Sequence, residues 1–303
     1  MQNDSFINQE FMLDVGDGHQ LHVVDWGNKD ASVPYIHLHG GPGSQAKDKH
    51  KAPFDPAAQR VIFFDQRGCG LSTPYGSIEN NTTQDLVSDI SKIADKLQIE
   101  KFSLHGTSWG SALALAYAIA HPERIAALVI GGVFTGSKFE NDWVDRGHFK
   151  TFYPDVWQAY LDRTPEQYRD DPSAYHFDKV INGTPEEQKR SGYAYDCLES
   201  GIIRLDDRFQ SEDFAEYDPA SIRIEMHYLG KGCFMPDRYI FDNLAKLTMP
   251  IHVVQGRYDM VCPPATAYEL HKKLPNSHLY WTLSGHAVEH EGENIFRAII
   301  ASL

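Results

Sequence analysis

The stretch Gly106-Thr107-Ser108-Trp109-Gly110 lies where a short apolar strand pattern, Phe102–His105, gives way at once to an apolar helical one, Ser111–Ala120. A chain that changes from strand to helix so abruptly needs glycines around the turn, because side chains there would collide. The turn would hold the Ser108 hydroxyl above a sheet, at a helix N-terminus whose dipole favours negative charge. The rest of the chain keeps the same rhythm. Strand patterns at Phe6–Val15 and Leu21–Trp26 flank the turn Gly16-Asp17-Gly18, and Val33–Leu38 and Val61–Phe64 follow. Thr82 with Asp85 reads as a capping box opening a helix whose apolar face is Leu86, Val87, Ile90, Ile93, Ala94 and Leu97. A strand at Ala126–Ile130 completes the first half. Short buried strands alternating with helices point to a largely parallel sheet covered on both faces.

The rhythm stops after Gly132. Residues 133–246 are rich in aromatics, prolines and acids, with helical patterning and no strand–helix alternation. It resumes with a strand at Ile251–Gln255, a helix at Ala265–Leu274, a strand at His278–Leu283 and a last helix from Glu289. The simplest organisation is one α/β core, residues 1–132 and 247–303, carrying a helical cap, residues 133–246.

Serine hydroxyls are weak nucleophiles until a base takes the proton. Asp259 follows the strand Ile251–Gln255 and His286 follows the strand His278–Leu283, so both belong at carboxyl ends of strands, where ligands gather in open parallel sheets. Ser108, Asp259 and His286 occur in the chain order of the α/β-hydrolase triad. The expected fold is therefore the α/β-hydrolase fold, a mostly parallel eight-stranded sheet with an inserted helical cap. His286 would act as general base and then general acid, and Asp259 would orient it. His290 is the nearest rival base, but it falls inside the last helix rather than at a strand end. His39-Gly40-Gly41-Pro42-Gly43 follows the third strand, where this fold builds an oxyanion hole, so the N–H groups of Gly41 and Trp109 are the expected donors. His37 and His39 lack a third ligand at metal-site spacing, and the chemistry requires neither metal nor organic cofactor.

Composition narrows the partners. A formal net charge of −14 repels phosphates and argues against nucleic acid. The N-terminal residues carry no basic and apolar leader pattern, and no apolar run is long enough to span a bilayer. Cys69, Cys197, Cys233 and Cys262 show no CxxC pairing. A cytoplasmic protein is the expectation.

Five segments together resemble one family. They are HGGPG, DQRGCGLS (Asp65–Ser72), the NTTQDLVSDI region, GTSWGSALALAYAIAHPERI (Gly106–Ile125) and GRYDMVCP (Gly256–Pro263), and the chain is similar through them to the proline iminopeptidases. The resemblance implies a serine exopeptidase releasing N-terminal proline from short peptides through an acyl-enzyme, its partner being a small peptide with a free N-terminus. It also implies two cap glutamates that hold that N-terminus. The stretch Arg223-Ile224-Glu225-Met226-His227-Tyr228 matches one of them at Glu225. Asp196-Cys197-Leu198-Glu199 occupies the place of the other, suggesting Glu199, although the tryptophans of the family pattern are absent. Trp109, Phe134 and Cys262 are implied to line the pocket for the pyrrolidine ring. Two departures touch that pocket. The arginine expected two residues before the aliphatic position is missing from Ile130-Gly131-Gly132-Val133-Phe134, and the aromatic expected after the cap tryptophan is missing from Trp143-Val144-Asp145. The alternative is an esterase, lactonase or amidase acting on small non-peptide substrates, since the same triad serves all of them. A third reading, a binding protein that kept the fold without its chemistry, is disfavoured by the complete, correctly ordered triad.

Overall fold

A single sheet organises the molecule, with strands β1 (Ile7–Gly16), β2 (His19–Gly27), β3 (Tyr35–Leu38), β4 (Arg60–Phe64), β5 (Phe102–Thr107), β6 (Ile125–Gly131), β7 (Ile251–Gly256) and β8 (Ser277–Thr282). The coordinates are a computed structural model that describes residues 5–205 and 214–303. The spatial order of the eight strands is β1-β2-β4-β3-β5-β6-β7-β8. The pairs β1–β2 and β2–β4 are antiparallel, and every later pair is parallel. Strands β3 to β7 are almost wholly buried, as expected of parallel strands covered on both faces.

Helices α1 (Thr83–Lys96), α2 (Trp109–Ala120), α9 (Pro264–Lys273) and α10 (Glu289–Ser302) belong to the core. The expected capping box opens α1, with the Thr82 hydroxyl accepting from the Asp85 N–H and the Asp85 carboxylate accepting from the Thr82 N–H. Helix α2 has no polar face because it is buried from Trp109 to Ile119. It starts two residues earlier than apolar periodicity suggests, since the turn at Ser108 itself launches it.

Between β6 and β7 the chain forms six helices among the described residues: α3 (Lys138–Asp145), α4 (Pro154–Asp162), α5 (Pro172–Asn182), α6 (Pro185–Ser200), α7 (Ala220–Leu229) and α8 (Tyr239–Asp242). They carry an apolar cluster of their own, built on Phe149, Tyr160, Tyr195, Leu198 and Met226. The expected cap segment includes residues 206–213, which lie outside the described residues. Helix α7 is fastened to the core. The Tyr228 hydroxyl donates to Asn81 Oδ1 at 2.7 Å, and Arg223 Nη1 donates to the Gly76 carbonyl at 3.0 Å. Trp143 of α3 donates its indole N–H to the Met260 carbonyl at 2.9 Å. The insertion therefore sits directly on the carboxyl ends of the strands. No helix among the described residues is long and apolar enough to cross a membrane.

Candidate active site

Sheet order brings the three distant segments together. Ser108 follows β5 directly, and the loop of Gly40 and Gly41 follows the neighbouring β3, with Leu38 opposite Gly106 in the register. Asp259 and His286 follow the neighbours β7 and β8, where Gly256 is opposite Thr282. Strand β6 lies between the two pairs.

Ser108 has φ 57° and ψ −130°, a conformation unfavourable for any residue with a side chain. The turn tolerates it because Gly110 lets α2 start against β3: a Cβ there would lie 2.1 Å from the Leu38 carbonyl oxygen. The Ser108 N–H donates to the Gly131 carbonyl at 3.0 Å, and its carbonyl accepts from Ser111 N and Oγ at 2.8 and 2.7 Å. The backbone is pinned while the hydroxyl caps no helical N–H. The hydroxyl lies beside the Cys262 thiol, whose pKa burial holds well above its ordinary value, so that sulfur is a neutral wall.

Asp259 is fully buried and has its acceptor sites occupied. Its Oδ1 accepts from the N–H groups of Val261 and Cys262 at 3.0 and 2.7 Å. Its Oδ2 accepts from Gln255 Nε2 at 3.0 Å and lies 2.9 Å from His286 Nδ1. A carboxylate only accepts, so Nδ1 carries the proton and Nε2 is left as the basic nitrogen. Burial works against a charge on His286, yet the Asp259 carboxylate, helped by Glu199, holds its pKa above the ordinary imidazole value. Gly132 gives the ring room, since a Cβ there would lie 3.0 Å from His286 Cε1. His290 falls in the first turn of α10 and is exposed.

Over Ser108 the cap closes a pocket of about 40 Å³, lined among others by Gly41, Phe134, Asp145, Glu199, Glu225 and Cys262. This volume is room for about three waters, so a ring entering it must part the walls. Glu199, Glu225 and Asp145 face one another across it with no Lys or Arg among the residues lining it. Burial raises Glu199 to about 7, an effect its hydrogen bond with Glu225 moderates. Glu225, also desolvated and repelled by Glu199, lies well above the ordinary carboxyl range. Two carboxyls that share a hydrogen bond share a proton. Asp145 is pushed to about 7 by burial and by Glu199.

A model of the alpha/beta hydrolase fold family matches residues 34–288. The chain is 38% identical over 287 residues to the proline iminopeptidase of Arabidopsis thaliana, covering 92% of this chain and 75% of that one. It is 38% identical over 277 residues to the proline iminopeptidase of Neisseria gonorrhoeae, covering 90% and 89%. This chain belongs to the proline iminopeptidase family of α/β hydrolases. Two solved structures share the fold at lower identity. A proline iminopeptidase from Mycobacterium smegmatis superposes with a TM-score of 0.63 at 22% identity, covering 97% of each chain. An esterase from Exiguobacterium antarcticum superposes with a TM-score of 0.66 at 20% identity, covering 97% of this chain and 98% of that one.

Within this family member, both departures from the family pattern have a physical counterpart. Position 131, where the arginine is expected, is a glycine whose Cβ would lie 2.6 Å from Phe296 Cζ. Phe296 occupies the space an arginine would need. Where the aromatic is expected after the cap tryptophan, Asp145 adds a further carboxyl to the pocket, which Glu140 also lines. One expectation is corrected. The Trp109 side chain does not line the pocket: its indole is fully buried, donates to Gln66 Oε1 at 2.9 Å and packs edge-on against Tyr228. A buried indole N–H must find an acceptor, and Gln66 supplies it from behind the loop.

Two residues were missed by sequence reasoning. Gln66 donates to the His39 carbonyl and receives the Trp109 indole, tying the Gly41 loop to the start of α2. It lies in the DQRG segment, which carried the resemblance without a role. Gln255 bridges the Val133 N–H to Asp259 Oδ2. A fully buried glutamine ending an apolar strand was the available signal.

Proposed function

We propose that the protein is a serine aminopeptidase that releases N-terminal proline, and less readily other residues, from short peptides. In this reading His286 Nε2 takes the Ser108 proton, and the oxygen attacks the carbonyl of the first residue. The N–H groups of Gly41 and Trp109 receive the developing oxyanion, each such donor being worth about 3 kcal/mol. His286 then returns the proton to the departing amine, and a water activated by the same nitrogen releases the amino acid. Phe134 and Cys262 supply an apolar wall for the ring.

The observation that carries the reading is the carboxyl set beside Ser108. Glu199 and Glu225 share a pocket with the serine, and the cation they lack is the α-ammonium of a peptide one residue from the scissile carbonyl. An acetylated N-terminus would leave the carboxylates uncompensated and is rejected. A hydrolase of neutral esters would use the same triad, and the fold is shared with an esterase, but such an enzyme has no use for buried acids at this position. The test is a set of aminoacyl-arylamides with free and acetylated N-termini. Cleavage of prolyl-arylamide, abolished by acetylation, is expected. Failure to cleave it, or indifference to acetylation, removes the assignment.

A further inference from the structure

On the far side of His286 from the acid pocket lies a larger cavity of about 520 Å³, within the size range of small-molecule sites. It begins at Thr107, Gly132 and His286 and runs towards α10 and the helical turn Asp48–Lys51. Its walls include His37, His50 and His105 below, with Lys49, Arg204 and Glu293 around them. Burial holds His37 and His50 below the ordinary imidazole value, with repulsion from other histidines adding to it and, for His50, from Lys49, so this floor is polar and uncharged.

We propose that this cavity receives the peptide that leaves, and that Lys49 binds its terminal carboxylate. The inference rests on the aminopeptidase reading and extends it to the other half of the substrate. His286 must face the departing nitrogen in order to protonate it, so the released chain lies on the His286 side of Ser108. That side is this cavity. A short peptide carries an ammonium at one end and a carboxylate at the other. The acid pocket lies beside Ser108 and the cavity holding Lys49 lies beside His286, with signs that match the two ends of such a peptide, in a chain whose formal net charge is −14.

The charges around Lys49 support this. Its pKa is lowered, first by partial burial and then by Lys47 and Arg204, while Glu293 opposes the shift. A cation held among cations is stabilised by an incoming anion. The substrate class is therefore di- and tripeptides with a free carboxylate, the product of an endopeptidase or oligopeptidase acting earlier.

The experiment compares kcat/KM for Pro-Gly with that for Pro-Gly-amide, alongside prolyl-arylamide. The wild type should favour the free acid by about tenfold at low salt, with the preference shrinking as ionic strength rises. Lys49→Gln should bring the acid-to-amide ratio close to one, mainly through KM. Lys49→Arg should restore it, and Glu293→Gln should increase it. Equal use of acid and amide by the wild type, or a Lys49→Gln variant that keeps the wild-type ratio, would overturn the subsite while leaving the aminopeptidase reading intact. Failure to cleave prolyl-arylamide would remove that reading, and the subsite with it.

Discussion

The carboxyl of Asp259 and those of Glu199 and Glu225 lie in the same cleft under opposite conditions. Asp259 is supplied by the fold itself, with two backbone N–H groups, a glutamine amide and an imidazole on its two oxygens. Its environment is complete before any ligand arrives. The cap glutamates have one another, and a pKa raised by burial and repulsion. A buried acid left without a cation costs stability, so a fold retains it where a ligand supplies the missing charge. One carboxyl is built to stay fixed, and the other pair is built to wait.

That contrast is broken most severely at Asp259. Asp259→Asn presents an amide that can donate to Nδ1, which would force the proton onto Nε2 and remove the base. We expect kcat to fall by about 10⁴-fold on peptide and ester substrates alike. A loss confined to peptides would contradict the role. Glu225→Gln should behave differently. It removes half of the ammonium site and leaves the triad in place, so kcat/KM for prolyl-arylamide should fall by about 10²- to 10³-fold. Hydrolysis of an uncharged phenyl ester should change several-fold at most. Equal losses on both substrates would assign Glu225 to the chemistry rather than to recognition.

Sequence reasoning reached the first of these regions more easily than the second. The turn at Ser108 is a local event, and Asp259 and His286 are both marked by strand ends, so linear pattern and chain order were enough to propose them together, and His286 Nδ1 does lie 2.9 Å from Asp259 Oδ2. Strand limits moved by only one or two residues. The direction of a side chain was harder to read. Trp109 has a place in the motif, but the acceptor at Gln66 that turns its indole away from the pocket comes from another loop. Gln255 was hidden for the same reason, since its partners Val133 and Asp259 arrive on separate segments. Asp145 was visible only as a missing aromatic. The basic cavity combines residues 49, 204 and 293, which no local pattern connects.

The comparison sharpens when pH is varied. In the proposed reaction, ammonium binding requires ionised Glu199 and Glu225, with Glu199 near 7, and proton abstraction requires neutral His286, whose pKa is raised. Both demands fail in the same direction as pH falls. The acidic limb of kcat/KM should therefore be steeper for a free-amine substrate than for a neutral ester, which feels His286 alone. Parallel limbs for the two substrates would show that the glutamates do not titrate with binding. A smaller effect is expected at Gln255. Gln255→Met leaves the Val133 N–H and Asp259 Oδ2 each one partner short, costing about 1–3 kcal/mol of stability. It should also lower kcat about tenfold and shift the acidic limb of the ester profile. A stability loss without movement of that limb would make Gln255 merely structural.

The smallest effect concerns what the waiting carboxyls cost the empty protein. Asp145 has its pKa raised from 3.8 to about 7, by burial and then by Glu199 and Asp142. Below about pH 4 the group is largely protonated whether the chain is folded or not, so it is neutral towards stability. Between 4 and 7 the unfolded chain ionises while the folded one keeps its proton, and stability is lost as pH rises through that window. Asp145→Asn keeps the acceptor facing the Tyr195 hydroxyl at 3.5 Å and removes the titration. Its melting temperature should exceed that of the wild type by about 2–4 °C at pH 8 and match it near pH 4. Scanning calorimetry at the two pH values decides the matter: an equal gain at both would mean that packing, not the buried charge, had improved. A short peptide ammonium bound in the pocket should narrow the gap at pH 8, because the wild type then has a cation beside Asp145.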